Sequence, residues 1–96
     1  MILHTLNALP SSAAFGDCLK LLQPGDAVVL LGDGVYAALE DTSPCDELRA
    51  TGVELFILQA DALLAGIDRP AEGCNSIGMD ELVALTERFP RQLAWY

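Results

Sequence analysis

The 96-residue chain carries fourteen acidic against five basic side chains, a formal charge of −9 at pH 7. That balance excludes tight direct binding to RNA or DNA, which rests on phosphate neutralisation by Lys and Arg, and fits a basic protein partner better. The length holds one domain, residues 1–96, near the lower limit of what a single core stabilises; with 52% hydrophobic residues, some apolar side chains must stay outside and mark a partner interface, so an oligomer is expected.

Met1 to Leu6 reads as a short apolar strand. Pro10, Ser11 and Ser12 then supply a turn and an N-cap. Phe15, Cys18, Leu19 and Leu22 follow at i, i+3, i+4 and i+7, one stripe of a helix, which Pro24 and Gly25 end. Asp26 to Leu31 (DAVVLL) is a continuous apolar run of strand length, the pattern of a parallel strand covered on both faces. Gly32, Asp33 and Gly34 predict a tight turn into a second helical segment, Val35 to Leu39.

Ser43 is the expected cap of the next short helix, with Pro44 at its first position and Asp46 at a capping-box-like spacing; Gly52 closes it. Val53 to Leu58 (VELFIL) is a third strand by its branched and aromatic content, and Ala60 to Ala65 is a brief helix stopped by Gly66. Between Ile67 and Ser76 only a weak strand is legible, around Ser76 and Ile77. Leu82, Leu85 and Phe89 mark the buried side of a last helix, with Asp80 and Glu81 favourably placed in its first turn. Pro90 ends it, and Leu93 to Tyr96 form a final edge strand. Strands alternating with helices predict a compact three-layer α/β sandwich around a mostly parallel sheet of about five strands.

Few residues in this pattern point to chemistry. Asn7, Asp33 and Asp61 fall near the carboxyl ends of strands, where open parallel sheets bind ligands, and could line a polar cleft for a small ligand or nucleotide. Against this, Gly32-Asp33-Gly34 is neither a dinucleotide fingerprint nor a P-loop, and Asp33 repels phosphate, so a plain strand-to-helix turn is the simpler reading. A phosphate-accepting receiver domain needs an acidic cluster after the first strand and a late lysine; Asn7 stands at the first place, and Lys20 is the only lysine. His4 lies within the first strand and is expected to be a hydrogen-bonded, partly buried histidine rather than a catalytic base. Trp95 and Tyr96 are either tucked against the sheet or offered to a partner.

Cys18, Cys45 and Cys74 are odd in number and widely spaced, with no CxxC, so neither a disulfide framework nor a metal site with His4 is indicated. No cofactor is expected. Cys18 sits on an apolar stripe, where free cysteines are inert core residues. Cys45 is near a helix start, but Asp46 and Glu47 oppose its ionisation, and nothing near Cys74 activates it. The start of the chain lacks the charge pattern of an export signal, and no apolar run reaches membrane-spanning length, so a soluble, cytoplasmic protein is expected.

The opening ILHTLN followed by a proline, residues 25–39 (GDAVVLLGDGVYAAL) and the ending QLAWY resemble, in one register, the DsrH/TusB family. The resemblance implies a DsrE-like fold and a hexamer built from two copies each of three related small subunits. Such complexes pass persulfide sulfur between proteins, either for 2-thiolation of the tRNA wobble uridine or in dissimilatory sulfur oxidation. It further implies DsrE/TusD-like and DsrF/TusC-like sibling subunits, an upstream TusA-like donor and a downstream DsrC/TusE-like acceptor. The principal sulfur-carrying cysteine belongs to the DsrE/TusD sibling, which makes this chain a structural and docking subunit with no activity alone; isolated, it can self-associate through the surface meant for its siblings. Cys18-Leu19-Lys20 matches the late-helix cysteine of DsrH proteins, so for Cys18 a persulfide-carrying role stands beside the core reading. Cys45 and Cys74 match no motif of the family.

Overall fold

A computed structural model describes residues 1–96. The chain runs β1 (Ile2–Leu6), α1 (Ala13–Leu21), β2 (Ala27–Leu30), a 3-10 helix (Gly32–Ala38), α2 (Ser43–Ala50), β3 (Glu54–Leu58), α3 (Gln59–Leu64), β4 (Cys74–Ile77), α4 (Met79–Arg88) and β5 (Arg91–Trp95). The five strands form one sheet in the order β4-β3-β2-β1-β5, and every neighbouring pair is parallel. This is the α/β sandwich that the alternation of elements predicts.

Crossover handedness distributes the layers. From β1 to β4 the chain steps one way along the sheet, so right-handed crossings set α1, the 3-10 helix, α2 and α3 on one face. The return from β4 to β5 spans the sheet in the other direction, and the same hand sets α4 on the opposite face. The core divides accordingly. Phe15, Cys18, Val35, Leu48 and Ala62 pack on Leu6, Val28, Leu30, Leu55 and Ile57, while Leu85 and Phe89 pack on Leu3, Ala27, Val29 and Ile77. All four residues of β2 are buried, because the central strand is covered from both sides. The second face is held by one helix, so truncating Phe89, only 2% exposed, is expected to cost about 3–5 kcal/mol.

Local signals explain the helix ends where they are strong. The Ser12 hydroxyl accepts the Phe15 N–H at 3.4 Å and donates to the Leu9 carbonyl at 2.7 Å, a cap worth about 1 kcal/mol. Gly66, with φ +80°, sits in the left-handed region just beyond α3.

Three expectations need correction. The glycine-rich turn and the helix after it are one element: 3-10 structure begins at Gly32 and ends at Ala38. Three residues per turn let the segment stay close to the sheet while the chain reverses, at the cost of poorer hydrogen bonds. The cap of α2 is Thr42 rather than Ser43, and Asp46 completes no capping box. Instead the Thr42 hydroxyl donates to the Leu39 carbonyl at 2.7 Å, and Asp46 is drawn to Arg49 at 3.2 Å. His4, finally, is fully buried rather than partly so, because β1 lies inside the sheet beneath α1.

The weakly legible stretch before β4 is fastened from outside. The Ala71 N–H donates to the Ala38 carbonyl at 2.8 Å. Arg49 reaches Glu40 at 2.7 Å and the Glu72 carbonyl at 3.1 Å. β4 itself is a short edge strand whose Asn75 and Ser76 are exposed, which is why its hydrophobic signal is faint.

Candidate functional site

Of the residues singled out in the sequence, the thiols are placed least favourably for chemistry. Cys18 has no exposed surface and lies on the inward face of α1, in the larger core. Burial, and secondarily the negative charge of Asp26, push its thiol up to about 12. At neutral pH such a group stays a thiol, which is neither a nucleophile nor a metal ligand. Cys45 is also buried; loss of solvent raises its thiol, and the nearby Arg49 offsets this only in part because Glu40, Asp46 and Asp41 oppose it. Cys74, at the start of β4, is partly exposed, and burial followed by the proximity of Cys45 pushes it up to about 11. All three cysteines are free. No three His, Cys, Asp or Glu side chains converge on a point that could hold a metal ion.

His4 anchors a buried polar chain. Trp95 Nε1–H donates to His4 Nδ1 at 3.0 Å, and His4 Nε2 lies 3.0 Å from Asp26 Oδ2. The indole nitrogen can only donate, so Nδ1 must be the acceptor and Nε2 carries the proton. Asp26 also accepts the Ile2 N–H at 2.8 Å and the Gln23 N–H at 3.1 Å. Burial pushes the Asp26 carboxyl up, but the bonds from His4, Ile2 and Gln23 outweigh it and hold the group below the usual carboxylate value. No buried side-chain polar atom in the chain lacks a partner. The donors and acceptors linking Trp95, His4 and Asp26 are all occupied, and His4 faces no solvent, so the arrangement is a clamp between β1, the approach to β2 and β5. It has no free base to offer. Tyr96, one residue beyond, is 84% exposed.

At the carboxyl ends of the strands, Asn7, Asp33 and Asp61 do come together, but not as a phosphate cradle. The Gly32 N–H donates to Asp61 Oδ2 at 2.8 Å, the Asp33 N–H to Asn7 Oδ1 at 3.2 Å and the Gly34 N–H to the Leu31 carbonyl at 2.9 Å. Each backbone donor that could greet an anion is already taken. The glycines answer to space instead. Gly32 has φ +52°, and a methyl group at Gly34 would collide with the backbone carbonyl of Leu6. The resulting depression, about 200 Å³, is lined by Gly32, Asp33, Tyr36, Asp61, Leu64 and Ala65. It is smaller than the ~300–1,000 Å³ of ordinary ligand pockets, and it is open, acidic and bordered by apolar side chains. A second groove of about 320 Å³ lies between α4 and β3 on the opposite face, with Glu54, Phe56, Ile77, Glu81 and Arg88 among its walls.

Two features were missed in the sequence. Asp26 lies just before β2, not in it, and its role as acceptor for His4, Ile2 and Gln23 depends on partners distant in sequence or on backbone groups that carry no sequence signal. Tyr36 and Leu64 carried no signal, since nothing local says that the 3-10 helix and α3 stand side by side. No helix is long and apolar enough to cross a membrane.

Comparisons with known proteins agree along nearly the whole chain. A family model described as DsrH like protein matches residues 10–92. Protein TusB of Pectobacterium carotovorum is 39% identical over 95 residues, which cover 98% of this chain and all of the relative. Protein TusB of Erwinia tasmaniensis is 37% identical over 98 residues, and that of Escherichia coli (strain ED1a) 34% over 95, with the same coverage. Among solved structures, the ychN protein from E. coli superposes with a TM-score of 0.77 at 17% identity, covering 97% of each chain. A protein of unknown function from Methanobacterium thermoautotrophicum superposes at 0.67 with 19% identity, over 97% of this chain and 96% of its own. At such identities the structural likeness speaks for the fold alone.

Proposed function

The chain belongs to the DsrH like protein family, and from that premise we propose that it is the docking subunit of a hetero-oligomeric sulfur-relay complex. In this reading it assembles with DsrE/TusD-like and DsrF/TusC-like siblings. A sibling carries the persulfide, received from a TusA-like donor and passed to a DsrC/TusE-like acceptor for 2-thiolation of the tRNA wobble uridine. The setting is the cytoplasm, where free thiols stay reduced.

One observation carries the docking half of the proposal: Cys18 and Cys45 are buried, and at the partly exposed Cys74 burial outweighs the lowering effect of Arg49, so no thiol is poised as the accessible thiolate a persulfide carrier requires. The chain supplies apolar surface instead of a nucleophile, with Leu64 at 88% exposure and Leu63 at 56%.

The other reading, Cys18 as persulfide carrier in sulfur oxidation, keeps the support of its place in Cys18-Leu19-Lys20. It requires α1 to lift from the sheet so that a donor can reach the sulfur. Mass spectrometry of the assembled complex after loading with a persulfide donor separates the two. Sulfur confined to a sibling supports the docking subunit. A gain of about 32 Da on this chain, one sulfur atom, that disappears in Cys18→Ser would make it a relay station and overturn the docking role.

A further inference from the structure

We propose that the acidic depression beside the 3-10 helix, together with Leu63 and Leu64 of α3, is the surface that holds a partner subunit, and that it receives an arginine flanked by apolar side chains. The inference rests on the docking role just proposed and gives that role a location and a chemistry.

The first argument is unmet charge. Asp33 is exposed, and its carboxylate makes no hydrogen bond or ion pair within the chain. Asp61 has one oxygen committed to the Gly32 N–H and the other available. No basic residue lines the depression. Of the five in the chain, Arg49 is engaged with Glu40 and Asp46, Arg88 with Glu54, and Lys20, Arg69 and Arg91 are not among the residues lining the depression. A cation that pairs with these two carboxylates would therefore be supplied by another chain.

The second argument is what surrounds the charge. Tyr36, 38% exposed, and Leu64 form the walls. Leu63 and Leu64 are consecutive, so the short helix turns only Ala62 inward and presents both leucines to solvent. A guanidinium suits such a setting better than an ammonium. It is planar, can lie over the Tyr36 ring, and can fork between carboxylates. Exclusion of water by the leucines would strengthen the pairing.

A free small cation would fill the depression yet leave Leu63 and Leu64 uncovered; a protein surface accounts for both. The receiving site is also stiff. Three hydrogen bonds donated by backbone N–H groups, two of them to the side chains of Asp61 and Asn7, and the close approach of Gly34 to Leu6 hold the turn, so little ordering is needed on binding.

The test is co-expression with the sibling subunits, read by native mass spectrometry and size exclusion at graded salt. Leu64→Glu and Asp33→Lys are each expected to weaken assembly by roughly tenfold or more, Asp33→Asn by less. Both positions are exposed, so the melting temperature of each isolated variant should match that of the wild type. Val83→Glu, on the exposed side of α4 across the sheet, is expected to leave assembly intact. Assembly unchanged in both Leu64→Glu and Asp33→Lys would overturn the proposal while leaving the docking role standing, as would loss only in Val83→Glu. If Leu64→Glu abolishes self-association of the isolated chain without touching the complex, the occupant is a second copy and the proposal fails. A wild-type chain that ignores its siblings would remove the docking role and this inference together.

Discussion

Trp95 Nε1–H, at the end of the last strand, donates to Nδ1 of His4 in the first, 3.0 Å away and 91 residues apart in the chain. The ring centroids lie 6.2 Å apart with planes inclined by 22°. Through His4 the contact continues to Asp26 and from there to the backbone of Ile2 and Gln23. The edge strand β5, whose residues Arg91 to Ala94 are all exposed, is thereby tied to the buried centre of the sheet.

Replacing Trp95 with Phe keeps an aromatic ring but leaves His4 Nδ1 buried without a donor. An unsatisfied buried acceptor costs about 1–3 kcal/mol, and the loss should be local. Urea denaturation is expected to show a lower midpoint. Amide exchange should rise in β5 well before it rises in β2; equal acceleration in both strands would contradict the clamp.

The same chain of bonds sets an acid limit. The Asp26 carboxyl titrates lower in the folded protein than in the unfolded one, where it has its ordinary value of about 3.9. Its contribution is therefore fully present above that value and disappears as pH falls from there through the folded value, because the unfolded chain binds the proton first. Denaturation midpoints measured from about pH 6 down to about pH 3, which takes in the onset of this loss, should fall at the acid end. The fall should be shallower in Asp26→Asn, which is also less stable at neutral pH by about 1–3 kcal/mol. An identical acid slope in the variant would mean that other titrating groups carry the effect.

Thiol labelling ranks the cysteines by access and by thiolate fraction. Cys74, partly exposed, is expected to react first but slowly, since its thiol is pushed up to about 11. Cys18 should react only at the rate at which the protein opens, with its thiol at about 12 and no exposed surface. Adding a low concentration of urea should accelerate Cys18 far more than Cys74. Rapid labelling of Cys18 in the native protein at neutral pH would support the carrier reading.

Two glycine substitutions should act in opposite directions. A methyl group at Gly34 meets the Leu6 carbonyl, a backbone atom that cannot step aside, so Gly34→Ala is expected to cost about 3 kcal/mol or displace the 3-10 helix. Gly16, inside α1, has nothing within 4 Å of where its Cβ would stand, and Gly16→Ala should stabilise by about 0.5–1 kcal/mol. Thermal melts of the two single variants check both signs.

Where local chemistry speaks clearly, the chain announces its own structure. The Ser12 cap, the stripe of Phe15 and Cys18, the unbroken apolar run of β2 and the stop at Gly66 need only near neighbours in sequence, and helix caps, periodicity and backbone freedom act over that range. The alternation of strands and helices, joined to the handedness of crossovers, makes a parallel sheet with helices on both faces the natural outcome. The family resemblance is likewise written in consecutive residues.

Contacts between distant residues were left to the tertiary structure. Nothing beside His4 in the sequence reveals that Asp26 and Trp95 will meet its two nitrogens, because strand order alone brings β1 between β2 and β5. The 3-10 form of Gly32 to Ala38 depends on Leu6, Asn7 and Asp61, which lie outside the segment. The depression between Asp33 and Leu64 exists only because α3 packs beside that segment. Short-range free energies choose the elements; the packing of elements decides which polar groups are satisfied and which carboxylates and leucines are left facing outward for another chain.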